Sequence, residues 1–223
     1  MVVILVGKPT TRYETSRQAL IAASDFFRAA LEDRWQQHKA IIRLPEHEGA
    51  TFNRYLTWCC CGEDLGGVDG ATSLDWDDLI SLYILADFLL DASLRFAIID
   101  TLLQKEKQEK RWVSGAATRV YHNTVPGSPL RRILVDFHVY AGSGKNMVNG
   151  EPDFDDAPAE FLQDVARELA VAWKSTRDRY ASAKKEIREL DEEHEFDSTE
   201  NMRPWELDRC RYHKQTQGGA RGR

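Results

Sequence analysis

Ser24-Asp25-Phe26-Phe27-Arg28-Ala29-Ala30-Leu31, followed by Ala40-Ile41-Ile42-Arg43-Leu44 and the stop Pro45-Glu46-His47-Glu48, is the stretch that decides the fold of this chain. A serine whose hydroxyl can cap the next helix precedes two adjacent aromatics that both require burial. A polar turn then leads into a short apolar strand closed by proline. This grammar describes a scaffold of packed small elements and offers no catalytic constellation.

Outward from that stretch, Val2 to Gly7 is β-branched and apolar, Lys8-Pro9-Thr10 interrupts it, and Thr11 to Thr15 returns as a partner strand, so the chain opens on a hairpin. Ser16 to Ala23 supplies a short helix with Leu20 and Ile21 inward. Ser24 caps a second one carrying Phe26, Phe27, Ala30 and Leu31. Phe52, Tyr55, Leu56, Cys59 and Cys60 fall at i, i+3, i+4, i+7 and i+8, the stripe of an amphipathic helix ending before Gly62. Residues 66–73 are loop by composition. Asp75, Asp77 and Asp78 then favour a helix start that continues through Leu79, Leu82, Tyr83, Ala86 and Leu90. Leu94, Ile98, Ile99, Leu102 and Leu103 make another helix, and the all-polar run 104–110 marks the end of a first domain over 1–104.

A helical extension occupies 105–195. Ser128-Pro129 is a cap with proline at the first helical position, leading Leu130, Ile133, Leu134 and Phe137 in register. A long helix from about Pro158 is expected to bury Phe161, Leu162, Val165, Leu169 and Trp173 before turning to charge from Lys174 to Glu195. Residues 196–223 have little to bury and read as a mobile tail.

The 223 residues are 42% apolar, enough for a real core. Net charge is -6 with a pI of about 5.6. An acidic chain has no general field for phosphate backbones or anionic lipid, so neither a nucleic acid nor a membrane is expected as partner. The apolar start Met1 to Val6 is far shorter than the roughly 20 residues that span a bilayer. Three of the four cysteines are contiguous, Cys59 to Cys61, which cannot make a disulfide framework, and no Asn-x-Ser/Thr acceptor occurs. Both observations predict a reducing, intracellular setting, nucleus or cytoplasm.

Motifs that hint at chemistry fail on their spacing. Gly142-Ser143-Gly144-Lys145 imitates a phosphate loop, but Val139 stands where its first glycine belongs and Asn146 where Ser or Thr must follow the lysine. His47-Glu48 starts like a zinc-protease signature, yet position 51 is Thr, so His47 reads as an ordinary surface residue. Successive cysteines on a helix point about 100° apart and do not converge on one metal, so Cys59 and Cys60 read as buried structural thiols. Cys210 and His213, three residues apart, supply two ligands of the four that a zinc site needs and define a metal-dependent regulator as one alternative. No cofactor and no catalytic residue are expected, and the chain is not read as an enzyme. The closing Gly219-Ala220-Arg221-Gly222-Arg223 is one short copy of an arginine-glycine pattern, read as a solvated terminus.

Residues 1 to about 104 resemble BTB/POZ domains. Leu20, Ser24, Phe26 and Phe27 match that family's signature core, the strand ending Leu44-Pro45-Glu46 follows in the same order, and Phe52, Tyr55 and Leu56 match the next helix. Leu79, Leu82, Tyr83, Ala86 and Asp87 look like its Leu-Tyr-x-x-Ala-Asp helix. Ser128 to Asp136 and the late Cys210-Arg211-Tyr212-His213 are similar to the extended BTB proteins of filamentous fungi. The resemblance implies an α+β fold, a small mixed β-sheet wrapped by α-helices and followed by an α-helical C-terminal extension. It implies a non-catalytic protein–protein interaction module, a scaffold or adaptor whose partner is a protein, itself or a cullin-type scaffold of a ubiquitin ligase. The surface expected to carry contact is the exposed side of the segment from Phe27 to Trp35, together with the loop after Gly62. There Trp35 is the anchor, flanked by Arg34 and by Gln37, an amide where the family's cullin contact has a carboxylate. Packing of Trp35 against the chain's own C-terminal helices is the competing reading.

Overall fold

The structure, a computed structural model, describes residues 1–32, 41–61, 74–109, 115–141 and 157–189. The chain divides into two compact units, Met1–Val113 and Ser114–Arg223.

The first unit is built on a three-stranded mixed sheet in the order β2-β1-β3. Strand β1 (Val2–Val6) pairs antiparallel with β2 (Thr11–Thr15), Val2 opposite Thr15 and Val6 opposite Thr11. It pairs parallel with β3 (Ile41–Leu44), Val3 opposite Ile41 and Val6 opposite Leu44. The period of two in β1 buries Val2, Ile4 and Val6 against the helices. Gly7 makes the hairpin possible, with a φ of +81° that side chains rarely adopt.

Helices α1 (Arg17–Ala23) and α2 (Asp25–Ala30) fill the crossover between β2 and β3. Each is opened by a serine cap, Ser16 accepting from Ala19 N and Ser24 from Phe27 N. Helix α3 (Gly49–Cys61), α4 (Trp76–Phe88) and α5 (Ala92–Glu109) complete the unit. Gly49 is required where α3 meets the hairpin, because a Cβ there would lie 3.0 Å from the Tyr13 hydroxyl, which donates to Gly49 O. The core is aromatic: Phe27, Phe52, Tyr55 and Tyr83 are fully buried beside Leu20, Leu79 and Leu82. Arg54–Asp78 at 2.6 Å ties α3 to α4, and Arg95–Asp87 at 2.6 Å ties α5 to α4.

Four details in this unit differ from the sequence reading. Phe26 is only half-buried, because adjacent helical residues point about 100° apart and one of the two phenylalanines must lie at the rim. On α3 the buried arc is centred on Thr51, Tyr55 and Trp58, which leaves Leu56 half-buried at its edge, Cys59 half-buried, and Cys60 exposed instead of buried. Helix α4 stops at Phe88, so Leu90 leaves the stripe and is 53% exposed with φ 55°. Helix α5 runs on through the polar segment to Glu109, past the boundary drawn at 104. Its Lys105 and Glu106 are buried, and Lys105 bonds Glu109 at 2.6 Å while lying over the Trp76 ring.

The second unit contains α6 (Ala117–Asn123), α7 (Pro129–Asp136) running into a π-helical turn Phe137–Ala141, and α8 (Ala159–Glu189). Pro129 starts α7 as expected, although Ser128 makes no capping bond to it. Leu130, Ile133, Leu134 and Phe137 are buried, and Phe161 and Val165 of α8 join them. Phe161 sits edge-on to Tyr121 and His138. Leu162, Leu169 and Trp173, expected inside, are exposed. Among the described residues, α6 and α7 cover the face of α8 that carries Phe161 and Val165, and at 100° per residue Leu162, Leu169 and Trp173 lie off that face.

Candidate protein-interaction surface

Three places in the described residues concentrate unusual groups. The first is an aromatic patch on the first unit. Phe26 stands at the start of α2, His47 in the turn after β3, and Phe88 in the last turn of α4. Phe26 and Phe88 have ring centroids 5.4 Å apart, His47 and Phe88 4.7 Å apart. The backbone fixes the arrangement, since Phe26 N donates to Leu89 O and His47 N to Leu44 O. Phe88 nevertheless remains 48% exposed. Next to it Leu90 adopts a left-handed φ of 55°, held by Leu90 N to Asp87 O and Asp91 N to Ala86 O. A leucine in that region costs of order 1 to 3 kcal/mol, and here it directs an apolar side chain into solvent. Burial against Phe88 lowers the pKa of His47 from its ordinary 6.5, opposed by the Glu46 carboxylate, so the imidazole favours its neutral form. The patch is thus uncharged and apolar, suited to burial by another macromolecule rather than to proton transfer.

The second place is a buried polar group behind that patch. Ser24 Oγ accepts from Phe27 N at 3.1 Å and donates to Leu89 O. Asp91 caps α5 by accepting from Leu94 N at 2.9 Å, while its Oδ2 and the Tyr55 hydroxyl are buried without a hydrogen-bond partner. Burial, first of all, raises the pKa of Asp91, of Tyr55 and of Cys59, the last pushed up to about 12. A nucleophilic cysteine needs the opposite, a cation or base that favours the thiolate. Cys59 is a packing thiol.

The third is a cleft of about 620 Å³ in the second unit, between the turn at Pro126, α7 and α8. Its charged groups bond one another. Buried Arg131 donates to Thr124 Oγ1, to Glu160 and to the carbonyls of Tyr121 and Thr124. Tyr121 and Arg167 hold Asp164, and Tyr140 holds Glu168. Such a network locks the helices together. Among the described residues no group of three or more His, Cys, Asp or Glu is placed to hold a metal ion, and no helix is long and apolar enough to cross a membrane.

Arg34, Trp35, Gln37 and the loop after Gly62 lie outside the described residues, as do Gly142 to Lys145, Cys210 and His213. From sequence His47 is an ordinary surface residue and Phe88 has no assigned role. A signal was present, because Phe88 points about 180° away from the stripe through Leu79 and Ala86. No family model matches the chain, and no curated protein matches it either.

Proposed function

We propose that the chain is a non-catalytic protein–protein interaction module of BTB/POZ type, a scaffold or adaptor that works inside the cell. The sequence resemblance over residues 1 to 104 supports it, together with a small mixed sheet wrapped by helices whose core holds Leu20, Ser24, Phe27, Phe52, Tyr55, Leu82 and Tyr83. The single observation that carries the reading is the exposed patch of Phe88 and Leu90, framed by Phe26 and His47. An apolar cluster kept on the surface at a cost in backbone strain is the mark of a binding surface.

The partner is a protein that buries an aromatic anchor. Phe88→Glu places a charge at the centre of that contact while altering an exposed position, so folding is retained and binding is lost by at least about 100-fold, the loss of a central anchor. Affinity capture with the full chain and with this variant, followed by titration of the captured protein, provides the measurement. Partners retained equally by both proteins would remove the patch from the function.

A further inference from the structure

We propose that protonation of His47 gates the aromatic patch: the neutral imidazole leaves it open to a partner, and the imidazolium closes it. This inference rests on the contact surface assigned above and adds its regulation. The His47 ring is half-buried, with its centroid 4.7 Å from that of Phe88, the ring an incoming protein must cover. Phe88 in turn stands 5.4 Å from Phe26, and Leu90 beside it is exposed. Among these four side chains the imidazole alone titrates, and histidine is the residue whose charge changes between about pH 5 and 8. One proton therefore turns an uncharged apolar face into a cationic one.

The charges around the ring are occupied elsewhere. Glu46, in the same turn, acts on His47, but Lys8 of the hairpin turn holds its carboxylate at 2.7 Å, and both lie largely in water. Glu48 on the other side is exposed, where a pair with an imidazolium is worth little. On α2 Asp25 pairs with Arg28, and at the end of α4 Asp87 pairs with Arg95.

The sign of the effect follows from what contact removes. Any attraction of an imidazolium to the Phe88 ring exists before and after a partner arrives. Its water is lost only when Phe88 is covered, and a charge stripped of water without a new counter-ion is costly. The neutral form is thus the one that binds, and by reciprocity binding expels the proton. Burial already holds His47 below 6.5, so the surface is open at pH 7.5 and closes as pH falls past 6.5 towards the lowered value. A ring at the ordinary value would be about nine-tenths charged at pH 5.5, which limits the loss of affinity to about 10-fold.

Retention on a column of neutral phenyl groups is the probe, because it offers an apolar ring whose own charge is independent of pH. Full-length parent, Phe88→Glu and His47→Gln are compared at pH 7.5, 6.5 and 5.5. The retention factor of the parent should fall about 3- to 10-fold over this range, and that of His47→Gln by less than about twofold, whatever its level at pH 7.5. The midpoint of the fall should coincide with that of the His47 ring proton resonance in an NMR titration. Unfolding would expose the core and raise retention, so the direction separates it from gating. Equal pH dependence in parent and His47→Gln, a rise on acidification, or a midpoint away from that of the ring would overturn the gate and leave the surface standing. Phe88→Glu retained as strongly as the parent at pH 7.5 would remove the surface itself, and the gate with it.

Discussion

Ser24→Ala should cost the first unit about 2 to 3 kcal/mol, far more than a surface cap. The Ser24 hydroxyl is fully buried and does two jobs, closing the first turn of α2 by accepting from Phe27 N and donating to Leu89 O, 65 residues away. Alanine leaves the Phe27 N–H without an acceptor where water does not reach, and an unmade buried hydrogen bond costs about 1 to 3 kcal/mol. Loss of the donor to Leu89 O is milder, because that carbonyl still receives Phe26 N at 3.4 Å. Ser16→Ala is the internal control. It removes a cap of the same kind from α1, but Ser16 is exposed and its bond to Ala19 N is long at 3.5 Å, so about 0.5 kcal/mol or less is expected. Urea unfolding by far-UV circular dichroism gives the difference from the shift in midpoint at constant slope. Native-state hydrogen exchange in α2 and α4 assigns it to the first unit. Equal losses from the two substitutions would refute the idea that this serine couples α2 to the end of α4.

Other expectations rest on single groups. Arg131→Lys should destabilise the second unit by about 3 kcal/mol or more in thermal unfolding, because a lysine cannot reproduce a buried guanidinium that bonds Thr124, Tyr121 and Glu160 at once; full retention of stability would show the network to be dispensable. Alkylation near pH 8, read by fragment mass spectra, should modify exposed Cys60 at least about 10-fold faster than Cys59, whose thiol burial pushes to about 12. Equal rates would contradict the packing assigned to Cys59. The lowered pKa of His47 means that the unfolded chain takes up its proton first, so this contribution to stability is complete above pH 6.5 and is lost as pH falls through 6.5 towards the folded value. Between pH 7.5 and pH 5.5 the urea midpoint should fall more in the parent than in His47→Gln, and identical falls would clear His47 of the effect.

Much of the first unit was legible because its signals are local. The break at Lys8-Pro9-Thr10, the serine before α2 and the carboxylates around the start of α4 each have a physical consequence within one turn of chain, and the structure has the hairpin, the Ser24 cap and a helix beginning at Trp76. What the pattern misplaced depended on neighbours. The polar run after Leu103 signalled an end, yet Lys105 and Glu106 are buried because Trp76, brought in from the start of α4, covers one with its ring. Period alone put Leu56 and Cys60 on the inner face of α3. The true inner arc turns toward Trp58, a residue whose size lets it dominate the packing. The aromatic patch was hidden for the same reason, since Phe26, His47 and Phe88 come from three separate elements and no spacing along the chain brings them together.

The contrast between α7 and α8 carries this a step further. Both show an apolar stripe at helical period, and for both the sequence predicts burial. In α7 the stripe is covered, Leu130, Ile133 and Leu134 packing with Phe161 of α8 in one core. In α8 the same kind of stripe outruns its cover after Val165, because α6 and α7 together span only the residues from Ala117 to Asp136, two short rods against a helix of 31 residues. Periodicity specifies a face that must be dry, and it is silent on which surface dries it. Among the described residues nothing of the second unit covers the α8 stripe beyond Val165.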